Sequence, residues 1–407
     1  MSTTHTASLV LSDGTEVDTW DAYTLTLDML QPGSPWTASM WRSSVRQTTW
    51  AVLRAKIKLF DKVTFVIDGA PQITGRIETF DTQADREGGA RITISGRDMA
   101  GPALSWDADP TVRLKGLQLS AALGALFAPL GIPVVIGADA DAARTVQIGT
   151  TRGSRGVSSD RRTRRTQVCD RAQPQPGEKV WQLADEIARR LGYLIWTAPA
   201  QDGGLAVVID RPAYSSAEVF TFARRITETA AGATAAGNIL SGGETFSVRD
   251  VPSEVNVYSG TARGASLSAR QRYQAVNLAI ADVEVTRGFA LDPAPAQPRH
   301  VRAQRARTVA ETAREATRIV SEAMYGFRRY ACTVQGHGQT IDGRALLYTV
   351  NTMCRVRDDV CTSAAGDPLD ESMLATRVEF KRSRKAGTTT EVTLSPRDAI
   401  SLVPQDM

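Results

Sequence analysis

The chain has 407 residues, a hydrophobic fraction of 42% and a formal charge of +4. That length exceeds one ordinary core, so about two to four domains are expected, and the small net charge makes no demand for a nucleic-acid partner. Cys169, Cys332, Cys354 and Cys361 match no zinc spacing and read as reduced structural thiols.

The opening MSTTHTASLV lacks the basic start and long apolar run of a signal peptide. Leu9-Val10-Leu11, a turn at Asp13-Gly14 and Tyr23-Thr24-Leu25-Thr26-Leu27 then read as strands of one barrel. Pro32-Gly33-Ser34-Pro35-Trp36 is a loop. Over 37–53, Trp41, Val45 and Val52 fit a helix face or a strand face equally.

Residues 59–108 carry the strongest pattern. Val63-Thr64-Phe65-Val66-Ile67, Ile73-Thr74-Gly75-Arg76-Ile77-Glu78 and Ile92-Thr93-Ile94-Ser95 alternate as three half-buried strands. Asp68-Gly69 supplies the positive φ of a tight hairpin, and Gly88-Gly89 serves the longer second connection. Alternation stops at Gly96-Arg97-Asp98. Asp98 is placed to N-cap a short helix over 99–104, with Gly96 free to take a backbone angle that other residues avoid.

After residue 112 the period changes. Leu119, Leu123, Leu126, Phe127 and Leu130 form one helical stripe, with Gly131 closing it and a strand over 132–136. Residues 117–136 carry no charge over nearly a membrane-span length, but Pro129, Gly131 and Pro133 divide them into helix, stop and strand. Residues 152–165, RGSRGVSSDRRTRR, have almost no apolar side chains and read as a solvated loop. The functional alternative is electrostatic contact with DNA or an acidic protein through Arg152, Arg155, Arg161, Arg162, Arg164 and Arg165.

Pro176-Gly177-Glu178 opens a second helix, with Val180, Leu183, Ile187 and Leu191 on one face. A hairpin follows, from 193–197 to 205–209. Residues 216–240 are rich in Ala, Gly and Thr and read as a connection. Strands resume at 244–248 and 255–259. A helix is expected over 301–327, with an alanine-lined stripe that permits close approach of another backbone. Strands then fill 330–335, 346–350, 354–360, 373–380 and 388–394, with a basic turn around Lys381, Arg382, Arg384 and Lys385.

Sites of chemistry are not evident. His5, His300 and His337 lie far apart, and none has metal spacing. There is no nucleophile elbow and no phosphate-binding loop. Asp358-Asp359 suggests an acidic turn rather than a glycosidase pair. No catalytic constellation, cofactor or metal site is read.

The ordered run of hairpin, Gly75, strand, Gly96-Arg97-Asp98 and helix resembles the hub proteins of contractile phage baseplates, the Mu-like tail hub family, late control protein D-like. The ending, with Gly387-Thr388, Leu394, Pro396, Asp398 and Ala399, is similar to that family's final strand. The helix PGEKVWQLADEIARRLG also resembles a LysM module, which implies as an alternative a cell-wall-binding or lytic tail component.

The hub resemblance implies a β-rich α+β chain. Two small antiparallel β-barrel (tube-like) domains, 1–108 and 241–407, flank an α/β insert at 109–215, with a connection at 216–240. It implies a non-enzymatic homotrimer that joins a hexameric tail tube, or distal tube protein, to a central spike among other baseplate proteins. DNA passes only as cargo, there is no membrane span, and the chain assembles in the host cytoplasm into the virion's tail baseplate.

Overall fold

Two-residue periodicity fixes most of the backbone as strand. The structure, a computed structural model, describes residues 5–42, 47–85, 89–137, 173–190, 192–200, 204–229, 232–247, 254–259, 298–303, 316, 319, 326–362, 367–397 and 399. In chain order come β1 (Ala7–Leu11), β2 (Glu16–Val17), β3 (Ala22–Asp28), β4 (Pro35–Trp41), α1 (Gln47–Lys56), β5 (Lys62–Ile67), β6 (Ala70–Asp85) and β7 (Gly89–Asp98). A 3-10 helix, Gly101–Leu104, leads to α2 (Leu119–Phe127), β8 (Val134–Ile136), α3 (Val180–Arg190), β9 (Leu194–Pro199) and β10 (Leu205–Asp210). Then follow β11 (Phe220–Thr229), β12 (Gly232–Gly237), β13 (Ile239–Phe246), β14 (Glu254–Ser259) and β15 (Pro298–Ala303). The last strands are β16 (Arg328–Gln335), β17 (Gly338–Ile341), β18 (Arg344–Leu347), β19 (Thr352–Thr362), β20 (Pro368–Ser383) and β21 (Gly387–Pro396).

The chain divides into two compact units. The first unit is Ala7–Trp20 with Met29–Arg211. Its antiparallel strands run in the order β2-β1-β5-β6-β7-β4. Asp68 and Gly69 both have positive φ, 49° and 78°, as the β5–β6 hairpin requires. A three-stranded sheet, β8-β10-β9, forms a second layer with α2 and α3. Leu119, Leu123, Phe127, Leu183, Ala184, Tyr193 and Val207 share one buried cluster there.

The second unit is Met1–Thr6, Asp21–Asp28 and Pro212–Met407. Its strands run β12-β11-β19-β20-β21-β16-β13. The sixteen-residue β20 has β19 along its first half and β3 along its second. The strand 22–28 therefore finds a partner in β20, which its position in sequence does not suggest. Alternation sets which face of a strand is apolar but not which neighbour it finds.

The two units repeat one module. In the first, β4, β5, β6 and β7 pair in the order β5-β6-β7-β4; in the second, β16, β19, β20 and β21 pair as β19-β20-β21-β16. β6 and β20 are each 16 residues with a register shift, and each turns into a 10-residue strand. The sequence carries a trace of this: Ile92-Thr93-Ile94-Ser95-Gly96-Arg97-Asp98 against Val392-Thr393-Leu394-Ser395-Pro396-Arg397-Asp398.

Four expectations need correction. The fold is mostly β with few helices, as read, but among the described residues no closed barrel forms. In the second unit no ladder pairs the path ends, β12 and β13, among the described residues, although Arg224 Nη2 on β11 donates to Gly242 O on β13 at 3.1 Å. The connection expected over 216–240 contains β11 and β12, whose few bulky residues hid the alternation of Phe220 and Phe222, both buried. The helix over 301–327 does not begin as expected: Val301, Arg302 and Ala303 pair as strand with β14. Ala316, Ile319, Gly326 and Phe327 are helical, and the other residues of that span lie outside the described residues. The strand over 346–350 stops at Leu347, and Tyr348 turns inward to stack against Phe220 and Phe222. The segments at 37–53 and 117–136 resolve as β4 followed by α1, and as α2, a 3-10 turn and β8. None of the described helices is long and apolar enough to cross a membrane.

The strand exchange predicts how fragments behave. Residues 212–407 expressed alone lack β3, exposing the edge of β20 and uncovering the core against Tyr23, Leu25 and Leu27. This fragment is expected to aggregate or to melt without a cooperative transition in circular dichroism. Fusing residues 1–28 to it should restore a sharp transition; equal cooperativity without them would refute the assignment.

Candidate functional site

The Gly96-Arg97-Asp98 motif is a crossing point of backbones. β7 pairs with β6 on one side and β4 on the other, so Gly96 faces Ile77 and Trp36. A Cβ on Gly96 would lie 1.9 Å from the Arg76 carbonyl oxygen, and one on Gly75 2.2 Å from that of Arg97. Neither glycine has positive φ. Glycine is needed here for close approach, not for the unusual backbone angle expected from sequence.

Arg97 reaches back to β6, where Nε donates to both Glu78 oxygens at 3.0 Å and Nη2 pairs at 2.9 Å. Asp98 turns inward and is 1% exposed. It is the last residue of β7 and not the N-cap of the 3-10 helix, whose N-cap is Ala100. Its carboxylate still serves the orphan N–H groups beyond the strand: Oδ1 accepts from Ala100 N at 2.9 Å, and Gly101 N also donates. Oδ2 accepts from Ser34 N at 3.0 Å and from Thr197 Oγ1 at 2.6 Å. In return Asp98 N–H donates to Ser34 O at 3.0 Å. One carboxylate thus joins the β4 entry loop, the end of β7 and β9. Burial pushes its pKa up to about 6, against the four donors that pull it down. Thr197 was not singled out from sequence. The available signal is a polar residue ending the buried run Leu194-Ile195-Trp196, where an unpaired hydroxyl would be costly.

The Pro176-Gly177-Glu178 start is structural in the same way. Glu178 Oε2 accepts from Gln175 N at 2.6 Å, and Glu178 O accepts from Ala108 N at 2.7 Å. Lys179 Nζ donates to Asp107 Oδ1 at 2.6 Å and Ser105 O at 2.7 Å. The residues of the LysM-like opening are thereby engaged in fixing α3 to the segment after β7. A cavity of about 300 Å³ lies beside α3, with Leu30, Leu104, Trp181 and Ile195 below the Asp185–Arg189 pair.

In the second unit the fold brings together two histidines that are far apart in sequence. His337 is fully buried, and its N–H donates to His5 Nε2 at 3.0 Å, with ring centroids 5.0 Å apart. His337 Nε2 meets Tyr23 Oη at 2.7 Å and Nδ1 meets Thr390 Oγ1 at 2.9 Å. Because the Thr390 hydroxyl donates to Gly336 O at 2.6 Å, it is left to accept from Nδ1–H, so in the neutral ring Nε2 accepts from Tyr23. In the same unit, Asp358 is fully buried. Burial opposes its ionisation, but Arg224, Tyr330 and the Val360 N–H outweigh that and hold its pKa below the ordinary value. Arg224 Nη2 donates to it at 2.6 Å and Tyr330 Oη at 2.7 Å. Asp358 and Asp359 lie within β19, not in a turn, and point apart: Asp359 accepts from Ile226 N at 2.9 Å. Arg328 bridges Glu244 and Glu371. Cys332 and Cys354 are buried free thiols, and burial pushes Cys354 up to about 12, away from reactivity. Cys169 and Arg152, Arg155, Arg161, Arg162, Arg164 and Arg165 lie outside the described residues. Among the described residues no group of three or more His, Cys, Asp or Glu side chains could hold a metal ion.

No family model matches the chain, and no curated protein does. Solved structures do. The tail protein of Neisseria meningitidis MC58 is similar over 98% of this chain and 98% of that one, with TM-score 0.68 and 20% identity. The 43 kDa tail protein of prophage MuSo2 from Shewanella oneidensis is similar over 98% and 100%, with TM-score 0.69 and 18% identity. A chain of the Francisella PdpA–VgrG complex matches 100% of this chain with 60% of its own length, at TM-score 0.52 and 7% identity. The fold is thus one found in phage tail proteins.

Two variants test the crossing. Gly96→Ala places a methyl against a carbonyl that cannot move without breaking the β6–β7 pairing, and is expected to cost on the order of 3 kcal/mol in denaturant unfolding. Asp98 is raised in the fold, so its contribution is fully present below about pH 4 and lost as pH rises through about 6. Relative to Asp98→Asn, wild-type stability should fall by on the order of 3 kcal/mol between those limits. A pH-independent difference would contradict the burial of an ionisable carboxyl here.

Proposed function

We propose that this chain is the structural hub of a phage-like contractile tail baseplate, a homotrimeric ring joining a hexameric tail tube to a central spike. The observation that carries the reading is end-to-end likeness, at TM-scores of 0.68 and 0.69, to two phage tail proteins of nearly the same length. The repeated four-stranded module supports the symmetry: three chains offer six similar modules, which matches a sixfold tube. Cyclic closure needs a heterologous interface, in which one patch meets a different patch on the neighbour. The chemistry fits a scaffold: Asp98, Asp358 and His337 are buried and turned toward internal partners that lock strands together. Tube or distal tube protein above, spike below and other baseplate proteins around it are the partners on this reading. DNA passes as cargo, in a virion tail assembled in the host cytoplasm.

Light scattering on the pure protein is expected to give about three times the 43.9 kDa chain mass, and electron microscopy a ring with a central hole. A twofold dimer within assembled particles would overturn the proposal.

A further inference from the structure

The loop between α1 and β5 presents two large apolar side chains to water: Leu59 is 54% exposed and Phe60 71%. Phe60 has φ 67°, a left-handed conformation unfavourable for a bulky residue. It is imposed from β6. Phe60 N–H donates to Ile77 O at 2.8 Å, Ile77 N–H to Asp61 O at 3.1 Å, and Arg76 Nη1 to Phe60 O at 3.1 Å. Ile57 just before is buried, so the loop is anchored and only its apex stands out.

The surrounding charge is distinctive. The chain has 7 lysines among 48 basic residues, yet Lys56, Lys58 and Lys62 fall within this short stretch. Lys56 is engaged by Thr15 and Asp13. Lys58 and Lys62 are exposed and flank the apex, with Arg76 behind it and Asp61 the one acid from 57 to 62. Lysine is depleted at protein–protein interfaces, where arginine and aromatics concentrate. A hydrated ammonium on a long apolar stem suits instead the diffuse negative field of lipid headgroups, with the stem lying along the apolar phase.

We propose that the Leu59–Phe60 loop is an interfacial anchor for an anionic lipid surface, its apex inserted among acyl chains and Lys58, Lys62 and Arg76 at headgroup level. It lies on a bilayer and does not span one, and it does not depend on the tail-hub reading. The test is co-flotation of the full chain with phosphatidylcholine vesicles with and without phosphatidylglycerol, at low and high salt. Wild type should bind the anionic vesicles alone, and less at high salt. Phe60→Gly should weaken binding about tenfold or more, the loss expected for one large apolar side chain. Because glycine adopts φ 67° freely, its melting temperature should be unchanged or higher, which separates loss of anchoring from loss of fold. Lys58→Glu with Lys62→Glu should abolish the preference for anionic vesicles. No binding by wild type at low salt, or undiminished binding by Phe60→Gly, overturns the proposal. So does a fall in oligomeric mass in these variants with vesicle binding intact, which would make the loop a protein contact.

Discussion

A single buried carboxylate ties the first unit together. Removing Asp98 from water is costly, and burial alone would leave it protonated at neutral pH. Three backbone N–H groups and the Thr197 hydroxyl converge on it and offset that cost. The donors come from three segments: the loop before β4, the chain leaving β7, and β9. The carboxylate ties β9 of the α/β layer to the strands, beside the bonds that hold α3 to the segment after β7, and the glycines at 75 and 96 let the backbones of β6 and β7 come close.

The second unit uses the same module but secures it differently. Where the first has one acid served by neutral donors, the second has ion pairs. Arg224 with Asp358 and Arg328 with Glu244 and Glu371 cross between strands. Breaking one partner of such a buried pair leaves an uncompensated charge, so these pairs bias the strands toward one register more than they add net stability. His337 adds a third fastening, joining β3 and β21 through Tyr23 and Thr390. Two copies of a module with unlike internal fastenings can keep one outline while presenting different surfaces.

Much of the architecture was legible because strand periodicity is local. β5, β6, β7, β20 and β21 follow from alternation and from glycine-bounded turns such as Asp68-Gly69. The resemblance of the 59–108 stretch led to a β-rich fold, and two phage tail proteins share the fold of the chain, but the expected closed barrels do not form among the described residues. β11 and β12 were missed because alanine, glycine and threonine carry little hydrophobic contrast, although Phe220 and Phe222 are wholly inside. The Asp98 cap was half right: the residue does feed orphan N–H groups, but as the end of a strand and with a partner ninety-nine residues away.

By itself the sequence determined which strand residues face inward and where the chain turns, since both depend on near neighbours and on residue chemistry. Only the tertiary structure decided that β3 completes the C-terminal unit, that His5 meets His337, and that Thr197 and Ser34 close on Asp98. Those pairings join residues 64 to 359 positions apart. Nothing in the local pattern of either partner encodes the other, because side-chain alternation fixes a face and leaves the choice of neighbour to the packing of the whole unit.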